Sequence, residues 1–336
     1  MLELALLGGV AAVGTVLIWG GSVWLEGAAN ALARYFRMPR VVQGAVIAAI
    51  GSSFPELASV VIAVLRYGDF ELGIAAIVGS ALFNVLVIPA LAVLVRPGTL
   101  STSRELVYKE AQFYMLSLAV LLITFSLAVI YVPVEGERLV GEVTRPIALV
   151  PLAVYGLYLF IQYQDTKDNQ TTDPRPDVGV ARQFGLLLAG LATILVGVEA
   201  LVFAAVELGD AFGTPAFLWG FVVIAAGTSL PDAFISLRAA RADRPAVSLG
   251  NVFGSNTFDL LVAIPAGVVI AGSTAVDYAR AAPLFGVLVL ATVVVFAAAR
   301  TDFELTDREA AFMLALYLGV VGWIALEIFG VTALLL

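Results

Sequence analysis

Continuous apolar runs dominate this 336-residue chain. Ten of them fall near 2–32, 41–66, 72–95, 106–132, 144–163, 180–208, 215–238, 245–271, 280–299 and 309–335. Each can supply one helical crossing of a bilayer, which takes about 20 apolar residues. The runs do not alternate, which argues against an outer-membrane barrel. Apolar residues make up 61% of the chain and charged residues 13%, against about 25% charged in a soluble domain. A soluble enzyme, a disordered chain and a nucleic-acid binder are therefore excluded. The fold class expected is an all-α polytopic membrane protein of ten transmembrane helices with the lipid bilayer as its solvent. The chain has no Cys and no His, which excludes disulfides, zinc sites and histidine proton relays. The first run follows Met1-Leu2-Glu3 without a basic segment and without a small-residue cleavage site before Arg34, so it reads as a retained helix.

Basic residues set the orientation. With the N-terminus outside, the outer connections hold Arg66, Arg138, Arg145 and Arg280, and the inner ones hold the other 14 of the 18 bases, including both lysines, Lys109 and Lys167. The positive-inside rule then places both termini outside a plasma membrane. The most polar connection, 164–179, becomes a cytoplasmic linker between residues 1–163 and 180–336, with five helices in each part.

The two parts are related. The segment Gly44–Glu56 (GAVIAAIGSSFPE) matches Gly220–Asp232 (GFVVIAAGTSLPD) at six of thirteen positions, at an offset of 176. Gly79–Asn84 (GSALFN) matches Gly254–Asp259 (GSNTFD) at an offset of 175. A duplicated unit with an odd number of helices inserts upside down the second time. That predicts an inverted-topology repeat with a site at the membrane midplane between the halves.

The repeated segments carry the chemistry. Pro55 and Pro231 lack an N–H and clash with the preceding turn, and Gly51 and Gly227 weaken the helix further. Broken second, third, seventh and eighth helices are expected around the site, because freed carbonyls are tolerated at membrane depth only inside protein or beside a cavity. Ser52 and Ser53 share a helical face with Glu56, and Thr228 and Ser229 share one with Asp232. Ser80 precedes Asn84 by four residues, and Ser255 precedes Asp259 by four. All these groups are oxygen donors, as hard cations such as Ca²⁺ require. Taken singly, a Pro in such a helix is most often a kink and a Ser a packing residue. A buried acid is functional by default, and here acids recur at matched positions. Glu26, Glu199 and Glu327 lack such partners and read as interfacial or structural. Asn251 reads as a helix-packing hydrogen bonder.

The two segments resemble the α-1 and α-2 repeats of the cation/Ca²⁺ exchanger superfamily, in particular its prokaryotic Na⁺/Ca²⁺ exchanger branch. The pattern G-[ST]-S-x-P-[ED] followed by G-S-x-x-x-[ND] stands at 51–56 with 79–84, and again at 227–232 with 254–259. The resemblance implies that Glu56, Asn84, Asp232 and Asp259 form a central Ca²⁺ site. It implies flanking Na⁺ sites at Ser53, Ser80, Ser229 and Ser255. Weaker contributions come from Ser52, Thr228 and the backbone at Ala49 and Ala225. It implies that the first and sixth helices slide against the rest to alternate access. The chain departs from the pattern at Ala75-Ala76, where the family often has Gly-Asn, and at Ser52, where Thr is commoner.

The function expected is secondary antiport of Na⁺ against Ca²⁺ at shared carboxylates, without catalysis and without a cofactor. The partners are the bilayer and inorganic cations, with no obligatory protein. The rivals are H⁺/Ca²⁺ exchange and K⁺-dependent Na⁺/Ca²⁺ exchange. A distant one, an intramembrane aspartyl protease, needs a G-x-G-D string, and the nearest, Glu207-Leu208-Gly209-Asp210, lacks its first Gly.

Overall fold

The structure is a computed structural model that describes residues 2–36, 49–95, 99–104, 106–166 and 179–335. It is mostly helical. The helices are α1 (Leu2–Tyr35), α2 (Ala49–Tyr67), α3 (Phe70–Leu94), α4 (Leu106–Tyr131) and α5 (Arg145–Thr166). After the linker come α6 (Val180–Phe212), α7 (Ala216–Thr228), α8 (Leu230–Arg241), α9 (Pro245–Ala271), α10 (Tyr278–Arg300) and α11 (Asp307–Ile328). Among the described residues, eight helices are long and apolar enough to cross a membrane, and α7 with α8 makes a ninth if that bent pair is one span. The ten-span expectation is met to that extent. The remaining run, 41–66, lies partly outside the described residues, as do most of the linker 164–179 and the start of the first repeated segment.

The proline effects differ from helix to helix. At Pro231 the chain bends by 43° between α7 and α8, as expected for a break. At Pro55, in contrast, α2 continues as helix from Ala49 to Tyr67. A single missing N–H there leaves the Gly51 carbonyl without its usual donor but does not part the helix. The third and eighth expected helices, α3 and α9, are not broken either. Each widens into a π-helical turn, Phe83–Val87 and Asp259–Ala263. The cause stands just beyond each turn. Pro89 and Pro265 cannot donate to the carbonyls four residues back, so the ladder shifts register, with the Ile88 N–H reaching Phe83 and the Ile264 N–H reaching Asp259.

Burial sorts the helices. In α3 and α9, 83% and 72% of the apolar window is enclosed by protein, against 17% in α1. The helices with the repeated motifs are thus central, and α1 presents apolar side chains outward. α1 packs along α6 through glycines. A Cβ on Gly14 would stand 2.7 Å from the Gly197 carbonyl oxygen, and one on Gly21 would stand 2.8 Å from that of Gly190. As residue numbers rise on one helix they fall on the other, so the pair is antiparallel. The two contacts interchange under the offset of 176 found in the sequence.

Two short antiparallel ribbons are an addition to the all-α expectation. β1 (Leu100–Ser101) pairs with β4 (Glu304–Leu305), and β2 (Val140–Thr144) pairs with β3 (Ser273–Asp277). Each ribbon joins a connection of residues 1–163 to one of residues 180–336. The edges of these two-residue and five-residue strands satisfy each other's backbone groups between helix ends.

Candidate functional site

α2, α3, the α7–α8 bend and α9 bring the motif side chains into one buried cluster. Glu56, Asn84, Asp232, Asp259, Ser53, Ser80, Ser229, Ser255, Ser52 and Thr228 are each at most 2% exposed. The π turns place two of them: Asn84 sits inside the turn of α3, and Asp259 opens that of α9.

The cluster has an internal correspondence. Ser80 donates to Glu56 Oε1 at 3.2 Å, and its counterpart Ser255 donates to Asp232 Oδ1 at 3.0 Å. Hydroxyls also meet across the halves, Ser80 with Ser229 at 2.7 Å and Ser52 with Ser255 at 3.2 Å. The correspondence then breaks on chemistry. Asn84 Nδ2 donates to Asp232 Oδ2 at 3.0 Å. The equivalent position in the second half is Asp259, a carboxylate within electrostatic reach of Glu56 and Asp232. Two ionised carboxylates have no proton to offer each other, so this pair cannot close as Asn84 and Asp232 do.

The result is a set of orphaned oxygens. Glu56 Oε2, Asp259 Oδ1 and Oδ2, Asn84 Oδ1 and Ser53 Oγ have no hydrogen-bond partner among the described residues. Leaving a buried acceptor unpaired costs about 1–3 kcal/mol, and more when it is charged. Five such atoms from one cluster are oxygens that could ligate a cation. Among the described residues no group of three or more acidic side chains is already gathered in a chelating arrangement. The donor set is instead mixed, with carboxylate, carboxamide and hydroxyl oxygens from several helices.

The remaining sequence candidates fall as follows. Thr228 turns its hydroxyl to the Ala225 carbonyl at 3.4 Å, and the Ser229 N–H takes the same carbonyl at 3.1 Å. The Ala225 carbonyl is therefore not freed by the bend. Ala49 opens the described part of α2, and its side chain is outside the description. Asn251 donates to Asp232 Oδ1 at 3.2 Å and to Ser236 at 3.3 Å, so it steadies a site carboxylate. Glu26 lies against Gly51, one residue from Ser52. Glu199 pairs with Arg66 at 2.8 Å and accepts from the Tyr67 hydroxyl at 2.9 Å. Glu327 accepts from Trp323 and from the backbone of Leu334 and Leu335, which anchors the end of the chain.

One participant escaped the sequence reading. Asn256 accepts from Asn84 at 3.0 Å and donates to the Ala81 carbonyl at 3.1 Å. Its signal was present inside GSNTFD, but its repeat partner is Ala81, so duplication did not single it out.

A multi-pass membrane protein with a buried oxygen-lined site built from duplicated motifs is defined by these features. The chain belongs to the sodium/calcium exchanger protein family, which it matches over residues 6–164 and 182–326. That family consists of ion exchangers rather than enzymes. Sodium/calcium exchanger MaX1 of Methanosarcina acetivorans is 24% identical over 281 residues, 74% of this chain and 79% of its own. The uncharacterized membrane protein MJ0091 of Methanocaldococcus jannaschii is 27% identical over 257 residues, 76% of this chain and 79% of its own. The fold is similar to that of the sodium-calcium exchanger NCX_Mj, with a TM-score of 0.63 at 23% identity, covering 95% of this chain and 98% of the other.

Proposed function

We propose that this protein exchanges Na⁺ for Ca²⁺ across the plasma membrane at one shared site, with both termini outside and the linker 164–179 in the cytoplasm. Residues 1–163 and 180–336 act as inverted five-helix repeats, ten crossings in all, with the site between them near the midplane. The interchange of the glycine contacts between α1 and α6 under the repeat offset supports this arrangement. Glu56, Asn84, Asp232 and Asp259 hold Ca²⁺. Ser53, Ser80, Ser229 and Ser255, with Ser52, Thr228 and backbone near Ala49, take Na⁺ in flanking positions. α1 and α6 move together against the rest to open the site to one side and then the other.

The observation that carries this reading is that carboxylate oxygens of both Glu56 and Asp259 are buried without a hydrogen-bond partner among the described residues. Either load offsets most of the charge of the buried carboxylates and lets the site change sides. The bare anionic site is costly inside a membrane and does not cross readily. Competition for the same oxygens is then sufficient for exchange, with no covalent step. A second reading, H⁺/Ca²⁺ exchange, draws on the same atoms, since a shared proton would also pair Glu56 with Asp259. The serine hydroxyls around them favour Na⁺, because a proton needs no coordination shell. Ca²⁺ uptake into sealed vesicles under a Na⁺ or a H⁺ gradient separates the two, and Glu56→Gln and Asp232→Asn are each expected to abolish it while the purified variants keep a cooperative melt. Near-normal exchange by either variant contradicts the site.

A further inference from the structure

A notch of about 490 Å³ opens at the ends of α4 and α10, away from the transport site. Two arginines, Arg104 and Arg300, and three aromatic rings, Tyr108, Phe296 and Phe303, line it. The Arg300 guanidinium stands 5.9 Å from the centre of the Tyr108 ring, and its Nε donates to the Tyr108 hydroxyl at 2.7 Å. The Arg104 guanidinium stands 5.9 Å from the centre of the Phe303 ring. Both arginines are exposed, and among the described residues neither forms an ion pair with an acid. A guanidinium held against a ring keeps its outer N–H edge for another partner.

The backbone beneath is unusual. Asp302 and Phe303 have φ of 51° and 56°, a left-handed conformation that is rare for a bulky residue. It is held by Thr102, whose N–H donates to the Phe303 carbonyl at 2.7 Å and whose hydroxyl donates to Ala299 at 2.6 Å. The adjoining β1–β4 pair fixes the same turn. Such strain persists where the surroundings over-determine it and is common at ligand clamps. Here it carries the Phe303 ring under Arg104.

We propose that Arg104 and Arg300 form a phosphate-binding site for the headgroup of an anionic phospholipid. Arg300 is the last residue of a crossing helix and Tyr108 lies in the first turn of another, the level at which headgroup phosphates sit. Guanidinium forks match phosphate oxygens in pairs. Phe296, one turn further along α10, continues the wall toward the acyl region. The orientation proposed above would put this headgroup in the inner leaflet; the phosphate chemistry does not rest on it.

The test is lipid retention on the full chain, released from nanodiscs of mixed phosphatidylglycerol and phosphatidylcholine and weighed intact by mass spectrometry. It reads binding whichever way the protein faces and whatever it transports. The wild type is expected to retain phosphatidylglycerol in preference to phosphatidylcholine. Arg104→Gln with Arg300→Gln should lower that retention roughly thirtyfold, at the strength typical of two basic groups near a headgroup. Arg104→Lys with Arg300→Lys, which keeps the charge but loses the fork, should fall in between and guards against a folding defect. Arg241→Gln with Arg244→Gln should change nothing. Equal retention by wild type and the Gln pair overturns the site, and so does an equal loss in the Arg241/Arg244 control. Titration with inorganic phosphate separates the sources: arginine-dependent binding of free phosphate without a lipid preference overturns the lipid assignment.

Discussion

Asn84 is the one amide among the four residues Glu56, Asn84, Asp232 and Asp259, and it decides which of their oxygens stay unpaired. Its Nδ2 group serves Asp232 and Asn256 at 3.0 Å each, so the strain of the site concentrates on Glu56 and Asp259. Replacing it with Asp removes both donors. Asn84→Asp is therefore expected to lower the melting temperature in chelator, by an amount equivalent to about 1–3 kcal/mol, and to enlarge the rise that Ca²⁺ produces. Scanning calorimetry with and without Ca²⁺ reads both changes; an unchanged Ca²⁺ response would show that Asn84 does not face the ion. Ser53→Ala and Ser229→Ala should shift the Na⁺ dependence of exchange to higher concentration more than they weaken Ca²⁺ binding, each costing about 1 kcal/mol. An unmoved Na⁺ curve assigns these hydroxyls to packing. Most of this site was legible because acids are expensive among apolar neighbours and stand out when they recur at an offset. Asn256 was not, because a polar side chain beside an Ala counterpart looks like ordinary drift. The pairing of Asn84 with Asp232 was not legible either, since it depends on helices crossing in space.

Element by element, the π turns and the glycine contacts mark where helices do more than span. Pro89 and Pro265 stand at matched positions, and the sequence reading passed over them in favour of Pro55 and Pro231. A helix containing proline can respond by bending, by a π turn, or by continuing with one bond missing, and α7–α8, α3 and α2 each took a different course. Local sequence does not choose among these, because neighbouring helices supply the deciding contacts. The glycine pairs of α1 and α6 allow close backbone contact from Gly14 to Gly21 on one helix and from Gly190 to Gly197 on the other. Gly14→Val should force these helices apart, since its side chain would meet the Gly197 carbonyl at 2.7 Å. A fall in melting temperature of several degrees is expected, equivalent to about 1–3 kcal/mol, together with loss of exchange. At the other edge of the pair, Arg66 and Tyr67 of α2 hold Glu199 of α6. If α6 moves against α2, this tie must break once per cycle. Arg66 is well exposed, so the tie is worth at most about 1 kcal/mol. Glu199→Gln should accordingly change turnover by no more than about fivefold while leaving Ca²⁺ affinity intact, as measured by initial rates over a Ca²⁺ series. A change in affinity of tenfold or more would place Glu199 in the site instead.

For the whole molecule, the basic residues, the repeat and the two ribbons describe one arrangement. β1–β4 joins connections that the charge rule puts inside, and β2–β3 joins connections that it puts outside. Their pairing across the two halves was invisible in strands of two to five residues, whereas the long apolar runs gave most of the spans directly. Thr171, outside the described residues, should be protected as Thr171→Cys from an impermeant thiol reagent in intact cells, and labelled once the cells are opened. Labelling from outside would invert the orientation.

The central claim is that Na⁺ and Ca²⁺ compete for a set of buried oxygens, several of which have no partner among the described residues. Ca²⁺ flux in sealed vesicles, with Na⁺, K⁺ and H⁺ gradients imposed one at a time, tests it most directly. The account predicts that a Na⁺ gradient alone drives steep, saturable Ca²⁺ movement in the opposite direction, and that K⁺ or H⁺ alone drives little. Full-rate Ca²⁺ exchange driven by a proton gradient without Na⁺ would contradict it and make Glu56 and Asp259 a proton site.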